Sequence, residues 1–342
     1  MHVPDGFFNV AVSASMGVVA AAGVAVSLRG ARRELDDRTA PMAGLVAAFI
    51  FAVQMLNFPV AAGTSGHLLG GTLAAVLVGP YTAILCMAVV LLVQAFFFAD
   101  GGITALGINI SLMGIVTVVV GWALFKALSK VLPKTSFGIA ASAFVGAVVS
   151  VPACAVIFSV LFWAGGTAPI DPATVAAAMG GVHVLIGIGE ALITAVTVST
   201  VLAVRPDLVY GARGLKRRLV LRGADGERLV EPSQEAPAPA RPGKFVLGGI
   251  VVAALLAGFV SFYASSNPDG LEAVAETHGF SHVAQDSVTA DSPLADYGVK
   301  GVSDERLSGG LAGLIGVGVT LGVGGGLFLL VRRRKGDSRV TA

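Results

Sequence analysis

The sequence predicts an all-α fold: a polytopic membrane helix bundle of about seven spans, followed by a two-span carboxyl-terminal module. Three observations predict it. Hydrophobic residues fill 55% of the 342 positions and charged residues 13%, against roughly 25% charged in a soluble domain. The mean hydropathy is +0.84. The basic residues, finally, collect in a few gaps between apolar stretches that are near the length of a bilayer-spanning helix.

Those stretches lie near 9–28, 41–57, 65–80, 81–98, 104–125, 137–164 and 173–204, with two more near 245–263 and 309–331. The 65–98 run is short for two spans, but Val78-Gly79-Pro80-Tyr81 supplies a turn in its middle. Four basic residues lie in 29–40, three in 126–134, nine from Arg205 to Lys244 and five after the ninth span. With nine spans, these 21 of the 23 Lys and Arg fall on one side, and only Lys300 and Arg306 fall on the other. Cytoplasmic loops are enriched in Lys and Arg. The amino terminus is therefore expected outside the cell membrane and the carboxyl terminus inside. No basic residue precedes the first apolar stretch, where an export signal would carry one.

The domain organisation follows from composition. Residues 1–205 form a first membrane domain, and 206–244 form a basic linker that ends in EPSQEAPAPARPGK. Residues 245–342 form a second module, whose outer loop, 264–307, carries eight acidic residues and two basic ones and reads as a solvated acidic loop. A net charge of +2 is too small to imply a nucleic-acid partner. Cys86 and Cys154 both sit in apolar stretches and read as small core residues.

The chain opens MHVPDGFF, which places one of five histidines beside a free amine. The Met1 amine, the deprotonated His2 backbone nitrogen and the His2 imidazole close two fused chelate rings on one metal and leave one in-plane position vacant. On this topology His67, in NFPVAAGTSGHLLGG, lies on the same face and can fill that position. Four nitrogens in a plane suit Ni(II) or Cu(II) better than tetrahedral zinc, and Co(II) is also compatible. Pro4 has no amide hydrogen to extend the chelate, and Asp5-Gly6 has the form of a turn.

Other polar residues carry two readings each. Glu190, in HVLIGIGEAL, is the one acidic residue expected deep in a span, and His183 lies seven residues earlier on the same helix face. Together they mark either an ion path or a hydrogen bond between helices. Gln54, Asn57, Thr64, Ser65, Gln94 and Asn109 either orient His67 or join helices. Ala43, Ala47, Gly44, Ala48 and Ala52 give span two a small-residue surface, for packing within the chain or for docking a partner subunit. His278 and His282, spaced i and i+4 with Glu272 and Glu276 nearby, can hold a metal only on a helix.

No G-x-x-x-x-G-K-[ST] occurs, so an ATPase must be sought on another chain. No catalytic constellation occurs either, and a filled planar site leaves no position for an activated water.

Several motifs, in order, resemble the S component of cobalt and nickel energy-coupling-factor transporters, the CbiM/NikM family: MHVPDGF, NFPVAAGTSGHLLGGTLAAVLVGP, LLVQAFFFADGGITALGIN and HVLIGIGEALIT. The resemblance covers about 1–205. PDGLEAVAETHGF resembles the PDGLE domain of the family's small two-span partner, here fused. The resemblance implies that Met1, His2 and His67 bind the ion. It also implies that a transmembrane coupling subunit and two ATP-binding cassette subunits come from other chains. The expected function is capture of Ni2+ or Co2+ from outside for ATP-driven import. The alternatives are a self-sufficient proton-coupled metal transporter and a membrane metal sensor or donor that transports nothing.

Overall fold

In a bilayer every backbone amide needs a partner within the protein, and a helix supplies one from its own turn. The structure, a computed structural model, describes residues 1–61, 63–213, 219–223, 226–230 and 243–337. Within them the chain is an all-α membrane helix bundle with two short hairpins. Helix α1 (Val10–Glu34) starts where the Asn9 side chain accepts from Val12 N, and Arg32 and Arg33 fill its last turn, where cations suit the helix dipole. Next come α2 (Thr39–Gln54), the hairpin β1 (Phe58–Ala61) and β2 (Thr64–Gly66), α3 (Gly71–Val78) and α4 (Pro80–Phe97). Helix α5 (Leu106–Val131) contains a π-helical stretch at Ile110–Val116. Helices α6 (Ser136–Gly165) and α7 (Pro172–Val204) are capped by Thr135 and Asp171, and they pack along each other.

The 65–80 stretch carries the chain from the hairpin to the level of Glu34, at the far end of α1, but not as a helical span. Helix α3 has eight residues, roughly 12 Å of rise against a hydrocarbon core of about 30 Å. The chain ahead of it runs extended from β2 and turns at Gly70, whose φ of +91° excludes most side chains. Non-helical backbone at this depth is tolerated only inside protein, and every residue of 67–78 is buried. The stretch is as apolar as a span because neighbouring helices enclose it, not because lipid does.

The 206–213 stretch forms two short 3-10 turns. They dock under the first module, with Gly211 against Phe125 and Val76, and Arg213 over the Tyr210 ring. Strands β3 (Leu219–Gly223) and β4 (Gly226–Val230) form a separate antiparallel hairpin. The Pro/Ala-rich string at 231–242 lies outside the described residues.

The second module consists of α8 (Gly243–Gly258), α9 (Gly270–Thr277) and α10 (Glu305–Asp337). Helix α10 lies along α2 and α8. The small-residue surface of span two is covered from within the chain: a Cβ on Gly44 would sit 3.0 Å from the Gly325 backbone.

The outer loop is not a solvated string. Asp269 caps α9 by accepting from Leu271 N and Glu272 N, and Glu272 returns a bond to the Asp269 amide. Leu271, Val274 and Ala275 form one apolar helix face that is buried, and Phe280 is buried with them. Phe280 packs edge-on against Phe7 and meets Phe162. Eight acidic residues mask an apolar stripe too short to register against that background. The loop is laid over the amino-terminal segment, where Gln285 N donates to Asp5 O at 2.9 Å.

Candidate metal centre

The first nine residues form no helix, so their amides must find partners elsewhere. Val3 N donates to Asn109 Oδ1 at 2.8 Å, and Val3 O accepts from Asn109 Nδ2 at 3.0 Å and Gly102 N at 2.9 Å. The Asp5 carboxylate accepts from Ile103 N, Thr104 N and the Thr104 hydroxyl. The Asp5-Gly6 turn thus ties the terminus to the 101–104 loop and drives Met1 inward. Met1 is 2% exposed, and its sulfur accepts from the Cys154 thiol at 3.6 Å.

His67 reaches the same point from the opposite wall. The β1–β2 hairpin, with Phe58 opposite Gly66 and Pro59 opposite Ser65, delivers it to the buried 67–70 stretch. There Leu69 N and Gly70 N donate to the two Glu190 oxygens at 2.7 and 3.1 Å, and Leu69 O accepts from Gln54 Nε2 at 2.9 Å. The two bonds satisfy both oxygens of a carboxyl buried in a span, where an unpartnered one is costly. Glu190 is therefore sustained where it stands, and it anchors the backbone beside His67.

The Met1 amine contacts His67 Nε2 directly. The His2 and His67 rings stack with centroids 5.1 Å apart and planes 21° apart. His67 Nδ1 lies 3.0 Å from Leu68 O, which leaves Nε2 turned to the amine. Burial pushes the His2 pKa down to about 4 against the opposing pull of Asp100, so its ring is neutral at neutral pH, as a metal ligand must be. Among the described residues no three His, Cys, Asp or Glu side chains converge as a metal cluster.

The second module closes the site. Asp269 Oδ2 lies 2.7 Å from the Met1 nitrogen and 3.5 Å from His67 Nε2. Burial alone would raise the Asp269 pKa, but the adjacent ammonium and His67 hold it well below the usual carboxylate range. An ammonium buried here without that partner would cost roughly 3–5 kcal/mol. On the His2 side, Asp100 Oδ1 lies 3.2 Å from Nδ1, and Tyr297 donates to Asp100 Oδ2 at 2.5 Å. Among the described residues the three non-glycine residues with positive φ are Ala99, Asp296 and Tyr297. All three line the cavity in front of His2. Such backbone costs about 1–3 kcal/mol per residue and collects at functional sites. The cavity, of about 740 Å3, joins His2, His67 and Asp269 to an acidic mouth at Glu272, Glu276 and Glu305.

The structure thus brings Met1, His2 and His67 together, with Met1 and His67 buried and His2 half-buried beside the cavity. The remaining candidates stand one step away. Ser65 donates to Asn267 O at 2.8 Å and so holds the stretch just before Asp269. Asn57 accepts through its carbonyl from Ser265 N and lines the cavity. His183 gives Nδ1 to Met179 O and packs beneath Gly270, the residue after Asp269. His278 closes the end of α9 and His282 turns to Gly279 O, so the two form no cluster. Asp269, Asp100 and Tyr297 are not singled out by the sequence reading. The one signal for Asp269 is its place as the cap of a capping box.

A membrane bundle in which an amino-terminal amine meets two histidines beside an acidic cavity has the form of a metal transporter. A family model described as "Cobalt uptake substrate-specific transmembrane region" matches residues 2–208, and the "PDGLE domain" model matches 243–333. The chain belongs to the cobalt uptake family, CbiM, with a PDGLE domain fused behind it. A Haloquadratum walsbyi protein named for metal transport is 39% identical over 61% of this chain and 94% of its own length. An Archaeoglobus fulgidus protein named for fused nickel transport, NikMN, is 37% identical over 61% of this chain and 68% of its own. A solved transition metal transporter superposes with a TM-score of 0.54 at 28% identity, over 60% of this chain and 93% of that one. The chain is a transport protein, not an enzyme.

Proposed function

We propose that this chain is the substrate-capture subunit of an ATP-driven importer, and that it takes Ni2+, or Co2+, from the outer side through Met1, His2 and His67. The observation that carries the reading is the meeting of the Met1 amine with His67 Nε2 beneath the stacked His2 ring. The planar nitrogen set favours nickel, as does the name of the fused relative.

On this reading residues 1–205 are the metal-binding domain, 206–244 a cytoplasmic linker, and 245–342 a module that places its 264–307 loop over the site. The amino terminus faces outward and the carboxyl terminus faces the cytoplasm, which agrees with the distribution of basic residues. The acidic mouth concentrates cations, and the ion displaces Asp269 from the amine as it binds. A coupling subunit and two ATPase subunits on other chains, in the cell membrane, drive release inward. Glu190 is committed to two backbone amides, so the proton-relay alternative draws no support from it.

Uptake of radioactive nickel into vesicles tests the reading. Vesicles holding this chain with a coupling subunit, ATPases and internal ATP should accumulate the ion, and vesicles holding the chain alone should not. Accumulation by the chain alone, driven by a proton gradient, would overturn it.

A further inference from the structure

A histidine can serve as a ligand through only one nitrogen at a time, and the hydrogen on the other nitrogen decides which. The structure contains a chain of amide side chains that makes this choice for His2. It begins at a carbonyl, Leu69 O, which can only accept. Gln54 must therefore turn its Nε2 toward Leu69 O, at 2.9 Å, and its Oε1 toward Gln94. Gln94 must in turn give Nε2 to that oxygen, at 2.8 Å. Its own Oε1 is then left facing His2 Nε2, at 3.1 Å. Both glutamines are buried, and each amide is held by the partners just named. The end of the chain is an acceptor, and His2 Nε2 must carry a hydrogen to meet it.

We propose that Gln54 and Gln94 are positioning residues that fix His2 as the Nε2–H tautomer and leave the Nδ1 lone pair for the ion. Nδ1 is the ring nitrogen that closes a six-membered chelate ring with the His2 backbone nitrogen. It is turned toward the side where Asp100 holds a carboxylate oxygen 3.2 Å away. Tyr297, from the second module, joins both arms: Gln94 Nε2 lies 3.1 Å from its oxygen, and its hydroxyl donates to Asp100. The module that covers the site thereby also braces the relay. This inference rests on His2 being a ligand, and its test separates the two ideas.

Nitrogen NMR of histidine-labelled, metal-free protein reads the tautomer directly, with a His2→Ala variant to assign the signal. His2 should show a protonated Nε2 and a bare Nδ1. Gln94→Leu removes the acceptor and should mix the two tautomers and weaken Ni2+ binding about 10–100-fold. Gln94→Glu keeps an oxygen opposite Nε2 and should preserve the tautomer. A wild-type His2 protonated at Nδ1 would overturn the relay, and so would a folded Gln94→Leu protein with unchanged tautomer and affinity. If the tautomer is as expected but His2→Ala binds Ni2+ as tightly as wild type, the relay stands and the ligand assignment of His2 fails.

Discussion

His67→Ala is expected to lower the affinity for Ni2+ by more than about 100-fold, because disturbing even the groups behind a metal ligand costs about 10–100-fold. The side chain is the single contribution of its wall to the donor set, and its Nε2 contacts the Met1 amine. The substitution leaves the surrounding backbone held, since Glu190 still accepts from Leu69 N and Gly70 N and Gln54 still donates to Leu69 O. Metal-free protein should therefore keep its fold and its helix content by circular dichroism. Equilibrium binding of Ni2+ to purified wild type and variant checks the first statement. An affinity within about threefold of wild type, in a folded variant, would remove His67 from the site.

The second large effect is on pH. The planar chelate needs the Met1 amine and the His2 amide without their protons, and the structure holds that amine as an ammonium against Asp269 at 2.7 Å. Each ion bound should therefore release protons, one of them from the His2 amide, and affinity should fall as pH drops. The His2 ring adds nothing to this slope near neutral pH. Its pKa is lowered by burial to about 4, so it is already neutral there and begins to compete with the ion only as pH approaches that value. Calorimetry in two buffers of different ionisation enthalpy counts the protons. A count of zero would mean that neither the amine nor the amide is a ligand.

Much of this was legible in the sequence, for physical reasons. Apolar length and the gathering of Arg and Lys revealed the bundle because a bilayer constrains both, and α1, α4, α6 and α7 appear close to where composition placed them. The 65–80 stretch misled because hydropathy reports only that a segment avoids water. It cannot distinguish burial in lipid from burial among helices, and 67–78 is buried among helices. Residues 1, 2 and 67 could be singled out as candidate donors because an amino-terminal chelate is local chemistry. Asp269, 268 residues from the amine it pairs with, was not visible. Nothing near it in the chain indicates that α9 folds over the terminus, and its acidic neighbours conceal the apolar face that brings it there. Gln94 and Gln54 could be seen as polar residues in spans, but the direction of their bonds depends on Leu69 O and appears only with all three in place.

The central claim is that a free amino terminus is part of the site. It is tested most directly by titrating two purified proteins with Ni2+ and Co2+, one beginning at Met1 and one with Gly-Ser ahead of it, while recording absorption spectra. The expected result is tight binding of one ion by the native terminus, with the yellow band of planar nickel, and loss of both in the extended chain. Equal binding by the extended chain would contradict the account, because its Met1 nitrogen would then be an amide buried beside Asp269 and could not be the donor proposed here.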